Sequence, residues 1–543
     1  KYLYDNLVQS ATLIVIVVFF ILEKYIPANI NFGEFILDKL WQHGDDIAFI
    51  NGATGQSCTY KQIAQEAINF AVSLTQLGVG KGQVVAINSE NRLEFWSTAV
   101  GVLCTGAVLT TINTSYTINE LKHVLNISNP NYIICSPYAY KVHKEGFKGL
   151  NFIKKVIIYG DEAPKSTLLY KDMISKNINP DNFICAEVQG QTDTMVILYS
   201  SGTTGLPKGV MLTHHNAFMG CNMSGNEINI PVTALTVAPW FHALGLMGCF
   251  NALIGGRKMV YLTRFEEKLY LETIQKYQVN ILVAVPPLVV LLSKSKLLEN
   301  YDVSTVLFIF CGAAPLDSET MSEIQKRFPN LQPVIQGYGL TECVLAITRD
   351  TELAPKPGSV GQVVAPGSVV KVVDPETKKI LGPNQPGEIC VKGPIVMKGY
   401  VGMRRKDYFD DDDFFKTGDI GYYDEDKYFF IVDRLKELIK YKAFQVPPAE
   451  IEGQLLQHPS IQDAGVVGLP NKEAGELPIA FVVKKTGANV TEKEIIDYIA
   501  SKLSNPKHLR GGVRFVNEIP KNPSGKILRR NLKEMLKSNK SKL

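Results

Sequence analysis

Short apolar segments alternate with amphipathic segments of helical spacing through much of the chain. Residues 62–77 carry apolar side chains at helical spacing, which predicts a helix, whereas residues 84–87 and 131–134 are short β-branched runs, which predict strands. The same alternation returns between residues 194 and 333. Because strand–helix alternation of this length is typical of parallel, doubly wound sheets, we expect two α/β subdomains within one large domain.

The pattern changes after Pro357, where glycines and prolines separate short strands and predict a small β-subdomain. The motif Asp433-Arg434-Leu435-Lys436 then precedes a tail with helices of its own. These shifts predict an α/β protein in which residues 33–435 form the large domain and residues 436–543 form a smaller α+β C-terminal domain. A chain of 543 residues is too long for one compact core, which agrees with this division.

The two ends of the chain stand apart from this pattern. Residues 1–32 form an apolar N-terminal segment, and its uncharged run at residues 11–22 would span about 18 Å as a helix, against roughly 30 Å of membrane hydrocarbon. A membrane anchor, a signal-like segment, a buried or partner-facing helix and an atypical terminus all fit this run. Ser541-Lys542-Leu543 reads as a peroxisomal address when it is the free C-terminus. We therefore expect a peroxisomal location and an import receptor as a partner.

Composition excludes several classes of function. The net charge is +4, and the chain has no long basic patch with interleaved aromatic residues, so a nucleic-acid surface is not expected. Nine cysteines are scattered without a C-x-x-C pair, which argues against a disulfide framework and a zinc site. The eight histidines show no H-E-x-x-H spacing either.

The strongest chemical signal is the loop at residues 199–209, which reads YSSGTTGLPKG and follows a predicted strand. Glycines let backbone N–H groups approach an anion closely, hydroxyl groups add donors, and lysine adds charge. The loop is not a Walker motif, because Pro207 precedes the lysine and no Ser or Thr follows it. The residues predicted to cradle a polyphosphate are Ser200, Ser201, Gly202, Thr203, Thr204, Gly205 and Lys208.

This loop resembles the phosphate-binding signature of the adenylate-forming superfamily, which includes acyl-CoA synthetases, 4-coumarate–CoA ligases and beetle luciferases. Four further motifs follow in the order typical of that family: QGYGLTE at 336–342, TGD at 417–419, DRLK at 433–436 and PSGK at 523–526. The similarity runs from about Gly33 to the C-terminus. The stretches LKELIKYKAFQVPPAEIE and LRGGVRFVNEIPKNPSGK are especially similar to insect luciferase-like acyl-CoA ligases.

The resemblance implies a role for each motif. Thr341 and Glu342 would meet the α-phosphate and Mg²⁺, and a carboxylate with a neighbouring hydroxyl suits this hard cation. Tyr338 would stack on adenine, and Asp419, helped by Arg434, would bind the ribose hydroxyls. The remaining residues implied at the ATP site are Gly312, Ala313, Ala314, Gln336, Gly337 and Gly339.

Two lysines are implied in different half-reactions. Lys526 would stabilise the charge that builds up as a carboxylate attacks the α-phosphorus, and Lys442 would serve transfer to coenzyme A. In the family the C-terminal domain is mobile and rotates about a hinge at the position of Lys436. His242 resembles the histidine beside the substrate carboxylate. One departure concerns thiol entry, because Ala443 stands where the family usually has glycine.

The residues that line the acyl pocket determine which acid can bind. Motif alignment predicts that Trp240, Leu244, Val344, Leu345 and Ala346 line it. Because this lining offers few hydrogen-bond donors, we expect a medium- or long-chain fatty acid. Light-emitting beetle enzymes typically have Ser at the position of Leu345. A luciferase-type monooxygenase or an aromatic-acid CoA ligase is the alternative, followed by a catalytically silent scaffold.

Overall fold

The computed structural model describes residues 28–200, 207–222, 231–312, 316, 318–350, 355–435, 437–442, 444–471, 474–521 and 525–538. Several predictions fall outside these residues: those for the run at 11–22, Ser201, Gly202, Thr203, Thr204, Gly205, Ala313, Ala314, Lys436, Ala443 and the tripeptide 541–543.

The described strands are β1 (Ile47–Asn51), β2 (Ser57–Thr59), β3 (Val84–Asn88), β4 (Val108–Ile112), β5 (Tyr132–Cys135), β6 (Lys155–Ile158), β7 (Leu168–Leu169), β8 (Thr194–Ser200), β9 (Lys208–Thr213), β10 (Thr233–Thr236), β11 (Lys258–Tyr261), β12 (Ile281–Ala284), β13 (Phe308–Cys311), β14 (Ile335–Tyr338), β15 (Thr348–Arg349), β16 (Gln362–Val363), β17 (Val369–Val373), β18 (Gly387–Lys392), β19 (Gly399–Tyr400), β20 (Phe415–Tyr423), β21 (Phe429–Arg434), β22 (Ile439–Tyr441), β23 (Phe444–Val446), β24 (Ile461–Asn471), β25 (Gly475–Lys484) and β26 (Gly512–Phe515).

The described α-helices are α1 (Phe32–His43), α2 (Tyr60–Gln76), α3 (Glu94–Cys104), α4 (Ile118–Ser128), α5 (Pro137–Phe147), α6 (Tyr170–Ile174), α7 (His214–Cys221), α8 (Ala243–Ile254), α9 (Glu267–Tyr277), α10 (Pro286–Lys294), α11 (Ser318–Arg327), α12 (Pro448–Leu456), α13 (Glu492–Lys502) and α14 (Arg529–Ser538).

Two large sheets form the first part of the molecule, as the alternating pattern predicted. The first has eight strands in the order β19-β9-β8-β4-β3-β5-β6-β7, and the second has nine in the order β16-β15-β14-β13-β12-β10-β11-β1-β2. Strand β1 precedes the strands of the first sheet in the sequence, yet it pairs in parallel with β11 of the second sheet. This pairing connects the two halves of the large domain. Capping boxes explain where some helices begin: Thr59 and Gln62 close the start of α2.

The two large sheets are mixed rather than wholly parallel. Strand β8 pairs antiparallel with β9, β14 with β15, and β1 with β2. The cause at β8 and β9 is the length of their connection. A parallel return needs a crossover of about a dozen residues or more, and the phosphate-type loop between Ser200 and Lys208 is shorter than that.

Two smaller sheets follow. The third, β17-β18-β20-β21, is antiparallel and corresponds to the predicted β-subdomain. The fourth, built from β22 to β26, packs with α12, α13 and α14 and has its own apolar core. The predicted boundary at residues 435 and 436 falls between β21 and β22. Across the part of the chain that is described, no helix is long and apolar enough to cross a membrane.

Candidate active site

A cavity of about 1480 Å³ lies where the large sheets, the third sheet and the C-terminal part meet. Its walls bring together residues that are far apart in the sequence. The predicted site residues that line it are Ser200, Lys208, His242, Leu244, Gly312, Gln336, Gly337, Tyr338, Gly339, Thr341, Glu342, Val344, Leu345, Ala346, Arg434 and Lys526.

Asp419 is held just behind this lining by Arg434, its predicted helper, and by Tyr338, whose contact with it was not predicted. It is 5% exposed, and β20 pairs with β21 so that Asp419 lies opposite Arg434. The Tyr338 hydroxyl donates to Asp419 Oδ2 at 2.8 Å, and Arg434 Nε lies 3.4 Å from Oδ1. Burial raises the pKa of the Asp419 carboxyl, although Arg434 and Tyr338 oppose the shift. Each carboxylate oxygen keeps lone-pair capacity for a ligand hydroxyl.

The end of the cavity predicted to bind phosphates combines a cation, a carboxylate and a hydroxyl that is unpaired among the described residues. Ser200 and Lys208 face each other across the β8–β9 pair, and Ser200 Oγ is buried with no hydrogen-bond partner among the described residues. The Tyr400 hydroxyl donates to Glu342 Oε1 at 2.7 Å, and Lys208 Nζ lies 4.9 Å from the centre of the Tyr400 ring. A buried donor without a partner is costly, so this end is built for an oxygen-rich ligand.

Sequence reasoning missed Tyr400. It belongs to no recognised motif, and only the pairing of β19 with β9 carries it to Glu342. No cluster of three or more potential metal ligands occurs among the described residues. A single carboxylate such as Glu342 nevertheless fits Mg²⁺, because this ion commonly keeps several waters and takes one or two carboxylates together with substrate phosphates.

His242 is the N-cap residue of α8, but its side chain makes no capping hydrogen bond. Its Nε2 is buried and has no partner within the described part of the chain. Burial lowers the pKa of His242 to about 4, so the imidazole is neutral at physiological pH. A neutral imidazole aimed into the cavity can donate one hydrogen bond to a substrate oxygen.

The two lysines predicted to divide the chemistry occupy different places. Lys526 lines the cavity, and burial together with the nearby Arg434 lowers its pKa to about 8. Lys442 is exposed and does not line the cavity. Its backbone is left-handed, with φ of 52°, and its N–H donates to the Ala474 carbonyl at 2.7 Å. The structure therefore brings only the first of these lysines to the site.

Trp240 does not line the acyl part of the cavity, contrary to prediction. It is fully buried, and its ring centroid lies 5.1 Å from that of Trp96 and 4.8 Å from that of Tyr261. Phe49 and Phe95 complete this aromatic cluster. A large ring that buries this much apolar area stabilises the core. Leu244, Val344, Leu345 and Ala346 line the cavity as expected.

Val344 adopts an unusual backbone conformation that shapes the wall predicted to contact the acyl group. Its φ of 65° and ψ of −67° form a γ-turn, closed by the Leu345 N–H donating to the Cys343 carbonyl at 2.7 Å. A β-branched residue is strained in this conformation. Glycines make room for the turn: a Cβ on Gly220 would lie 2.6 Å from Val344 Cβ, and one on Gly339 only 1.7 Å from the Leu345 carbonyl oxygen. Strain of this kind is often stored at functional sites.

The expectation of an acyl wall with few donors was also incomplete. Arg257, Arg349 and Asn251 line the same cavity, and Arg257 Nη1 donates to Asn251 Oδ1 at 2.7 Å. None of these residues belongs to a motif, so nothing in the sequence pattern pointed to them.

Comparison with known proteins gives consistent matches. A family model for AMP-binding enzymes matches residues 38–401, and one for the C-terminal domain of AMP-binding enzymes matches residues 450–526. A luciferin 4-monooxygenase of Nipponoluciola cruciata is 43% identical over 509 residues, covering 92% of this chain and 92% of that protein. A probable 4-coumarate–CoA ligase of Dictyostelium discoideum is 37% identical over 531 residues, covering 94% and 95%. The solved structure of ATP-bound MatB from Rhodopseudomonas palustris is 28% identical, with a TM-score of 0.83 and coverage of 94% and 99%.

Proposed function

This chain belongs to the AMP-binding enzyme family, and from that premise we propose that it converts an aliphatic carboxylic acid to its acyl-CoA in two ATP-dependent steps. One observation carries the proposal. Lys526 of the C-terminal part lines the same cavity as Ser200, Lys208 and Glu342 of the large part. This arrangement suits adenylation, in which charge must be stabilised at one phosphorus while pyrophosphate leaves.

In the first step, the substrate carboxylate oxygen bonds to the α-phosphorus of ATP and the bond to the β-phosphate oxygen breaks, which releases pyrophosphate. Ser200 and Lys208 would hold the phosphates, and Glu342, positioned by the Tyr400 hydroxyl, would hold Mg²⁺, which would neutralise charge on the phosphates. His242 donates to the acid and keeps it in line for attack. The Lys526 ammonium stabilises the negative charge that develops on the phosphoryl oxygens, and it does so more strongly in the transition state than in the ground state.

In the second step, the thiol sulfur of coenzyme A bonds to the acyl carbon and AMP leaves. Lys442 serves this step after the C-terminal part rotates about Lys436. The exposed position of Lys442 outside the cavity supports this division, because one site cannot present both lysines at once. Such a rotation needs only a few residues at the end of an element.

The acid is a medium- or long-chain aliphatic one. Support comes from Leu244, Val344 and Leu345, which give the cavity next to His242 an apolar wall. Light emission from luciferin is the second candidate, favoured by the identity to a luciferin 4-monooxygenase. The enzyme would work in the peroxisome, addressed by the tripeptide Ser541-Lys542-Leu543.

The test is pyrophosphate release by the full chain with ATP and Mg²⁺, with and without coenzyme A. Dodecanoic, oleic and 4-coumaric acids and luciferin form the panel, acyl-CoA is identified by mass spectrometry, and light is recorded in parallel. We expect pyrophosphate from the aliphatic acids, acyl-CoA only when coenzyme A is present, and no light. Light, or a strong preference for coumarate, would refute the aliphatic assignment, and no release with any acid would refute the enzyme.

A further inference from the structure

Two guanidinium groups line the cavity, and one of them lies at the end remote from the predicted phosphate site. Arg349 lies in β15 opposite Gly337, near the carboxyl end of β14, and is close enough to Arg257 for their charges to interact. Arg257 precedes β11, at the amino-terminal end of the parallel strands. Ala234, Met259 and Ile281, near the same strand ends, also line the cavity. This end is distinct from the phosphate end, since Ser200 lies at the carboxyl end of β8, where nucleotides bind in such sheets.

The rise along helix α8 gives the distance between the two ends of the cavity. His242 is its N-cap, and Leu244, Gly248 and Asn251 all line the cavity, so one face of the helix runs along it. Asn251 follows His242 by nine positions, which at 1.5 Å per residue is a rise of about 14 Å. An extended chain advances about 1.2 Å per bond, so roughly eleven bonds join the two ends.

Within the described part of the chain, neither guanidinium has an anionic partner. Among the described residues, the only side-chain hydrogen bond of Arg257 goes to the neutral Asn251, and no carboxylate forms an ion pair with Arg257 or Arg349. Arg92, Arg434 and Arg529, by contrast, each pair with an acid. Burial lowers the pKa of Arg257, and Arg349 is close enough to lower it further. Two like charges in a partly buried wall are costly unless an anion joins them.

We propose that the substrate is an α,ω-dicarboxylic acid, whose second carboxylate is bound by Arg257 and Arg349 while the first is adenylated beside His242. The proposal rests on the proposed function. A carboxylate accepts two parallel hydrogen bonds from a guanidinium, and Asn251 orients Arg257 for this contact. The path between the ends fits a diacid of about ten to fourteen carbons, since roughly 1.2 Å is gained per bond. The apolar wall formed by Leu244 and Leu345 accommodates the methylene chain between them.

The experiment compares dodecanedioic acid, its monomethyl ester and dodecanoic acid with the full chain, ATP, Mg²⁺ and coenzyme A. We expect kcat/KM for the diacid to exceed that for the ester and the monoacid by roughly 10- to 100-fold, the range typical of hydrogen bonds to charged groups. Arg349→Met and Arg257→Met should each lower the ratio of diacid to monoacid kcat/KM. Arg264→Met is the matched control, because Arg264 is exposed and does not line the cavity.

The outcomes separate this inference from the proposed function. Turnover of dodecanoic acid without a preference for the diacid would overturn the inference and leave the proposed function standing. No turnover of any acid would overturn both. The wild-type comparison needs no variant, so a misfolded arginine variant cannot obscure it. If Arg349→Met raised KM for ATP and left the diacid ratio unaltered, Arg349 would be a nucleotide contact, and the inference would be wrong.

Discussion

Gly248 offers a direct way to measure how the acid lies in the cavity. It sits on the lining face of α8, and a Cβ built on it would meet no atom within 4 Å. A side chain at this position therefore projects into open cavity space. Gly248 follows His242 by six positions, a rise of about 9 Å along the helix. At about 1.2 Å per bond, Gly248→Leu should obstruct an acyl chain beyond roughly its eighth carbon.

The size of the effect follows from the methylenes that lose their burial. Dodecanoic acid would have about four methylenes displaced, and each is worth about 0.8 kcal/mol, so the loss is about 3 kcal/mol. This corresponds to roughly a hundredfold fall in kcat/KM, since about 1.4 kcal/mol is tenfold. Octanoic acid should lose little. The helix itself should not suffer, because leucine is favoured over glycine in a helix by up to about 1 kcal/mol.

The assay is kcat/KM for the even-numbered acids from hexanoic to dodecanoic, measured by pyrophosphate release. Gly453→Leu is the matched control, because Gly453 is also a helical glycine with open space beyond its Cβ but does not line the cavity. An equal fall for octanoic and dodecanoic acids in Gly248→Leu would show that the acyl chain does not run along α8, and would refute that path.

Three further predictions follow from the site. Lys526→Ala should abolish acyl-adenylate formation but spare thiolation of a supplied acyl-adenylate, and Lys442→Ala should do the reverse. The control is Lys502→Ala, because Lys502 is exposed on α13. Equal losses in both steps would contradict this division of roles between the two lysines. Because the pKa of Lys526 is about 8 and that of His242 about 4, kcat/KM for adenylation should be level between these pH values and fall above pH 8 as the ammonium loses its proton. An alkaline fall that persists in Lys526→Arg would refute this assignment. Tyr400→Phe removes the hydrogen bond to Glu342 and should raise KM for Mg²⁺–ATP about tenfold, whereas Tyr422→Phe should not; equal KM values would remove Tyr400 from the site.

The sequence predicts those elements of the fold whose patterns depend on residues close together along the chain. The strand near residues 131–134 and the helix near residues 62–77 were found because periodicity and β-branched runs report on neighbours along the chain. The antiparallel return of β9 could have been foreseen, since the loop before it is too short for a crossover. The pairing of β1 with β11 joins residues far apart in sequence, and no local pattern reports it.

The residues of the candidate site fall into the same two groups, those that belong to local motifs and those that only the three-dimensional structure reveals. Lys526, Glu342 and His242 lie in recognisable motifs, and the structure brings all three to one cavity. Trp240 was misassigned because His242 and Leu244, two and four positions later, line the cavity while its own ring joins a buried cluster. Arg349 was overlooked because the reason to propose a role for it is that it has no acidic partner among the described residues, and the sequence does not report pairing in space.

The central claim, that the acid is activated as an acyl-adenylate, can be tested by following its oxygen. The full chain is given dodecanoic acid labelled with ¹⁸O in both carboxylate oxygens, together with ATP, Mg²⁺ and coenzyme A, and the AMP is analysed by mass spectrometry. Attack of the carboxylate on the α-phosphorus leaves one labelled oxygen on AMP after the thiol takes the acyl group. We predict AMP carrying a single ¹⁸O, and unlabelled AMP, or label in inorganic phosphate, would contradict the account.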